Sequence, residues 1–159
     1  MSQPASKAQS TAVGTIISIG GVTGVISSPP LAFTPIGDIT SAKFSGLKVG
    51  VADVSTFDAN TKRKLGTLID YGTFTCTTIR VSNNAGQAAV IAAAASAELF
   101  DFSVQLEPNR AAGQTTTGDL ITFSGVVTEA GAFDLDLNKQ SDYTFTVDID
   151  GEWTVTEGA

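Results

Sequence analysis

Between Tyr143 and Val155 the chain alternates without a break. Tyr143, Phe145, Val147, Ile149, Gly151, Trp153 and Val155 hold the odd positions, and Thr144, Thr146, Asp148, Asp150, Glu152 and Thr154 the even ones. A period of two sustained this long demands a strand with one face in a core and the other in water. It also places three carboxylates, Asp148, Asp150 and Glu152, on the wet face at intervals of roughly 7 Å. Those carboxylates are either a metal site, a catalytic set or a solvated surface.

The rest of the chain reads as strands joined by turns. Thr, Val, Ile and Phe recur among Gly and Ser, the usage of a mainly β domain. Residues 1–12, small and polar, read as a flexible N-terminal arm, and 13–159 as one domain. Strands are expected over 15–20, within 32–44 (with Pro35 at an edge or turn), and over 46–57. In 46–57, Leu47, Val49 and Val51 alternate with Lys48, Gly50 and Ala52 as a half-buried strand. A polar segment at 58–67 carries Lys62, Arg63 and Lys64 in a row, and 68–81 resumes the strand pattern, so the two runs form a long hairpin with a basic tip. One helix is expected over 83–98, capped by Asn83 or Asn84 and rich in Ala, with a slender stripe of Val90, Ile91, Ala94, Ala95 and Ala97. Strands over 99–107, 120–133 and 143–155 complete the chain.

Most site chemistries are excluded by residue type. With no His and one Cys, the chain lacks the ligands of zinc, haem and iron–sulfur centres and the base of a Ser-His or Cys-His nucleophile. The segment "DLDLNKQSDYTF" begins like a calcium loop with Asp134, Asp136 and Asn138, but Lys139 stands where the turn glycine is needed and Phe145 where the bidentate acid is needed. "DIDGE" at 148–152 lacks a downstream acid and lies in a strand, and an exposed strand face has no apolar pocket to raise one carboxyl for acid catalysis. "GTIISIGGVTG" has no helix or Lys-Ser/Thr behind its glycines and is no phosphate loop. The reading is therefore non-enzymatic, with no metal and no cofactor, and the acidic residues as a solvated face. Cys76, in "FTCTTI", reads as a buried inert thiol. The apolar stretch 13–26 is too short and too interrupted to span a membrane or to serve as a secretion signal.

Charge is distributed unevenly. Residues 1–118 hold eight basic and seven acidic groups, and 119–159 hold one basic and nine acidic, within a net −7. An acidic segment of this kind repels nucleic acid rather than gripping it. It also offers a docking surface for the basic Lys62–Lys64 tip of another copy, against the plainer reading of that tip as a solubilising edge.

The order of these elements resembles the major tail tube subunits of long-tailed bacteriophages, the lambda-type family. The resemblance is carried by "AVGTIISIG", then "AFTPIGDITSAKFSGLKVGVADVSTFDA", then "IDYGTFTCTTIRVSNNAGQAAVIAAAASAELFDFSVQL", and finally "LITFSGVVTEAGAFDLDLNKQSDYTFTVDIDGEWTV". It spans nearly everything after residue 12 and lies in order and spacing rather than in one motif. It implies a β-sandwich with one flanking helix and a long hairpin loop, polymerised as stacked hexameric rings into a hollow tube that double-stranded DNA traverses without specific binding. It further implies a virion tail location after assembly in the host cytoplasm, with a tape measure protein and tail initiator or terminator proteins as partners. No catalytic residues come with it. The hairpin tip with Lys62, Arg63 and Lys64 and the N-terminal arm correspond to ring-joining segments, and Asp148, Asp150 and Glu152 are candidates for the lumen wall. The competing class, a carbohydrate-binding or adhesin β-sandwich, needs exposed aromatics, whereas Tyr143, Phe145 and Trp153 share the core face of their strand.

Overall fold

The structure, a computed structural model, describes residues 14–22, 33–58 and 60–159. The N-terminal arm at 1–12 lies outside the described residues. In chain order the elements are β1 (Ile16–Val22), β2 (Thr34–Ile36), β3 (Ile39–Phe44), β4 (Lys48–Asp53), β5 (Lys64–Asp70), β6 (Thr73–Ile79), α1 (Ala85–Ser96), β7 (Leu99–Gln105), a 3-10 turn (Arg110–Ala112), β8 (Leu120–Asp134) and β9 (Asp142–Thr156). The described residues are mainly β with one α-helix, the class that the residue pattern requires.

Seven strands form one antiparallel sheet in the order β2-β1-β7-β8-β9-β6-β3, and β4 and β5 pair separately. In β9 the odd residues Tyr143, Phe145 and Val147 are fully buried while Asp148, Asp150 and Glu152 are exposed, so the alternation does what its period dictates. Each buried side chain of this size contributes about 1.5–3 kcal/mol of transfer free energy. The neighbouring β6 matches it, with Phe74, Cys76 and Thr78 inward and Thr73, Thr75 and Thr77 half-buried on the other face. Between Thr122 and Ser124 the β8–β9 ladder shifts register, opposite Gly151 with φ of 73°, and Val155 ends up exposed.

The sheet is bent into a closed shape around its core. Phe44 on β3 and Phe123 on β8 lie three strands apart in the sheet order, roughly 14 Å if it were flat. Their rings instead meet edge-on with centroids 5.5 Å apart. Phe123 also stacks on Phe102 at 5.4 Å and tilts against Phe74 at 5.3 Å, so one side chain joins both wings. Strands near opposite ends of the sheet, β1 through Ile17 and β3 through Ile39, line a common cavity of about 520 Å³. The two layers of the expected sandwich are therefore one continuous sheet folded over.

Helix α1 packs on β8, β1 and β2. Asn84 caps it, its side chain accepting from the Gln87 amide at 3.1 Å. The buried face is Gly86, Gln87, Val90 and Ala93, which corrects the expected stripe: Ile91 is exposed, as are Ala95 and Ala97. Gly86 is needed because a Cβ there would enter the backbone of Pro35 and Ile36, so the helix rests almost directly on β2. Ala97 ends the helix in the left-handed region, with φ of 55°.

Candidate functional site

The carboxylates singled out in the sequence fall on the outer surface of the sheet. Asp148 lies between Thr73 of β6 and Val126 of β8, and Asp150 pairs with Ser124. Asp70, Asp148 and Asp150 line one shallow groove, floored by Gly72, Leu99, Val126 and Ile149. Glu152 lies at the margin of a neighbouring depression with Asp101, whose carboxylate accepts from the Ser124 hydroxyl at 2.8 Å. Asp70 and Asp101 thus extend the acidic strip beyond the residues the sequence reading named. For Asp101 the signal was present, since it alternates with Phe100 and Phe102; Asp70 depends on where the chain turns at Gly72. No group of three metal-ligating side chains occurs among the described residues. What the arrangement supplies is a strip of fixed negative charge held by regular strands.

The basic hairpin is a second, separate feature. The β3–β6 ladder pairs Phe44 with Phe74, and Ser45 N–H donates to the Thr73 carbonyl at 2.9 Å. Gly46 and Gly72 then adopt φ of 88° and 83°, and the pair continues as a new ladder in which Lys48 faces Asp70 and Asp53 faces Lys64. At Gly72 a Cβ would strike the Ser45 hydroxyl and the Gly46 carbonyl, so the bend requires glycine there. Beyond it, β4 and β5 form a two-stranded ribbon. The expected single strand over 68–81 is therefore two strands, β5 and β6.

This ribbon corrects a second expectation, that residues 46–57 form a half-buried strand. Every residue of β5 is exposed, and Val49, Val51, Leu65, Leu68 and Ile69 are 48–87% exposed. The alternation is real, but no second layer among the described residues covers it. At the far end the Asp53 carboxylate accepts from the Ser55 amide and hydroxyl, holding that carboxyl below its ordinary range. The Ser55 hydroxyl in turn accepts from the Arg63 amide at 2.9 Å. These bonds fix the backbone of the turn, while Lys62, Arg63 and Lys64 point outward, with no carboxylate partner among the described residues. A two-stranded ribbon is marginal in water by itself, and one with apolar side chains exposed on it is a surface awaiting cover.

The remaining candidates are quiet. Burial pushes the Cys76 thiol up to about 12, which leaves it protonated and unreactive at neutral pH. Tyr143 and Phe145 are fully buried, and Trp153 is half-buried with its ring edge-on to Tyr71 at 6.2 Å, so the β9 face offers no sugar-stacking platform. No helix among the described residues is long and apolar enough to cross a membrane.

No protein-family model matches this sequence, and neither does any curated protein. Solved structures do match. A chain in the virion of a native gene transfer agent particle is 12% identical, with a TM-score of 0.64 over 94% of this chain and 99% of that one. A chain of the SPP1 tail tube is 8% identical, with a TM-score of 0.63 over 90% of this chain and 76% of that one. A chain from the sheath/tube terminator of the extracellular contractile injection system PVC is 14% identical, with a TM-score of 0.68 over 96% and 99%. The likeness to phage tail tube proteins read in the order of the strands is present in the fold itself, across nearly the whole chain.

Proposed function

We propose that this chain is a tail tube subunit, a structural virion protein that polymerises as stacked rings into a hollow conduit. The observation that carries the reading is the match in fold, over 90% of this chain, to a chain of the SPP1 tail tube. Two features of the surface support it. Among the described residues the exposed β4–β5 ribbon is an apolar element without cover, and β3, with Thr40, Ser41, Ala42 and Lys43 exposed, ends the sheet with an edge open to β-pairing with a neighbouring copy.

The finer picture is hexameric rings through which double-stranded DNA passes, with a tape measure protein setting length and initiator or terminator proteins closing the ends. The tail is assembled in the host cytoplasm. In this picture Asp148, Asp150 and Glu152, with Asp70 and Asp101, line the bore. Six copies at −7 each give −42 per ring. Inside a Debye length of about 8 Å such a wall repels phosphate and keeps DNA from adhering. Lys62, Arg63 and Lys64 join one ring to the next.

The test is a pelleting series on purified protein. A tube subunit remains in the supernatant below a critical concentration and pellets above it, alone or after addition of tail initiator. Protein that stays monomeric at every concentration, with initiator present, removes the proposal. Reversing Lys62, Arg63 and Lys64 to Glu is expected to raise the pelleting concentration about tenfold or more while leaving thermal unfolding of the monomer unchanged.

A further inference from the structure

The basic ribbon has a matching surface on the same molecule, at the opposite end. Across the β6–β9 ladder, Thr73 pairs with Asp148 and Ile79 with Asp142, a span of roughly 20 Å. The ribbon leaves the sheet at the Thr73 end. The turn between β8 and β9, residues 135–141, projects from the Asp142 end. On this turn Leu137 is 103% exposed and Leu135 74%, with Phe133 at its base 51% exposed. Asp134, Asp136 and Asp142 surround them. The one cation of the turn, Lys139, bonds to Asp134 at 2.6 Å and lies 3.8 Å from Asp142, which leaves Asp136 and a net −2 over 133–142. The Asp136 carboxylate accepts only the Asn138 amide of its own turn among the bonds described.

Leucines held outward beside carboxylates have the chemistry complementary to the ribbon, which holds valines and leucines outward beside Lys62, Arg63 and Lys64. We infer that the turn between β8 and β9 is the acceptor for the β4–β5 ribbon of another copy: Leu135 and Leu137 cover the ribbon's apolar face, and Asp136, backed by the net negative charge of the turn, meets its cations. This deepens the tube reading above and rests on it, by naming the surface on which the ribbon lands. Because donor and acceptor sit at opposite ends of one subunit, the contact is heterologous and leaves a free ribbon and a free acceptor after every addition. Contacts of that kind grow open polymers rather than closed dimers. Burying apolar surface supplies affinity, and the opposed charges set polarity and register.

Charge exchange and cross-linking test this directly. Asp134→Lys with Asp136→Lys is expected to raise the pelleting concentration about tenfold or more, as is reversal of Lys62, Arg63 and Lys64 to Glu. Combining both sets in one chain restores pelleting. Cys76 is buried, so introduced cysteines react alone: Arg63→Cys and Leu137→Cys, mixed as two separate variants and oxidised, give a disulfide-linked heterodimer, and neither gives it without the other. Thermal unfolding of the unassembled variants verifies that each folds. If the unaltered chain pellets and the Asp134→Lys/Asp136→Lys variant pellets equally, with no cross-link in the mixture, the acceptor is elsewhere and the tube reading survives. If the unaltered chain never pellets, the tube reading falls and this contact falls with it.

Discussion

Gln87 donates from Nε2 to the Ile79 carbonyl at 2.9 Å, from a position with no exposure to solvent. The same side chain donates to the Thr78 hydroxyl at 3.3 Å, and its Oε1 accepts from Arg80 Nη1 at 2.9 Å and the Val81 amide at 3.3 Å. One amide therefore satisfies the chain where β6 ends and the helix begins. Gln87→Leu keeps the volume but strips partners from the half-buried Ile79 carbonyl and Val81 amide and from the buried Thr78 hydroxyl, each worth about 1–3 kcal/mol when left unmade. Urea unfolding of the unassembled protein is expected to show a loss of about 2–4 kcal/mol, with Gln87→Glu no better because it removes both donors.

Gly86 sets two effects in opposition. Alanine in a helix interior is favoured over glycine by about 1 kcal/mol. At this position its Cβ would enter the Pro35 carbonyl and the Ile36 Cα, which are backbone and cannot swing aside. Overpacking of this kind costs about 1–3 kcal/mol, so Gly86→Ala is expected to destabilise despite its propensity. An increase in melting temperature would show that β2 gives way.

Phe123 ties the wings of the sheet through Phe44, Phe74 and Phe102. Phe123→Ala is expected to cost about 3–5 kcal/mol in chemical denaturation, the range for a large buried aromatic. Phe57→Ala, which removes a ring 110% exposed on the ribbon, is expected to leave monomer stability within about 0.5 kcal/mol. A large effect of the second substitution would mean that the ribbon folds back on its own subunit.

The buried thiol gives a pH signature. In the folded chain Cys76 is raised to about 12, whereas in the unfolded chain it titrates near its ordinary value of about 8.5. Between those values the folded state keeps a proton that the unfolded state releases. Stability is therefore undiminished below about pH 8.5 and falls as pH rises toward 12, by up to about 1.4 kcal/mol per unit. Tyr143, also raised, chiefly by burial, acts in the same direction at higher pH. Cys76→Ala is expected to flatten the decline between pH 9 and 11 in thermal melts, and an unchanged slope would assign it to other groups.

What the sequence revealed and what it hid divide along physical lines. The alternation of β9 was legible because this chain buries one of its faces. The same kind of alternation at Leu47, Val49 and Val51 misled, because periodicity reports an apolar face and not which molecule covers it. The cap was legible only as Asn83 or Asn84 through local backbone chemistry, and it is Asn84. The helix face was not, since alanines lie on every side and Gln87 is buried by its hydrogen bonds rather than by hydrophobicity. The bend that brings Phe44 to Phe123 depends on pairing between segments far apart in the chain, which no local pattern encodes. Asp148, Asp150 and Glu152 are exposed, as their even positions in β9 suggested, but the place of Asp70 beside Asp148 and Asp150 required knowing that the strand breaks at Gly72.

The central claim concerns assembly, and electron microscopy of the concentrated protein addresses it most directly. Hollow cylinders of uniform width, built from stacked rings with density for residues 48–70 bridging from each ring to the next, are the predicted image. A field of single folded subunits at every concentration, with tail initiator supplied, would contradict it.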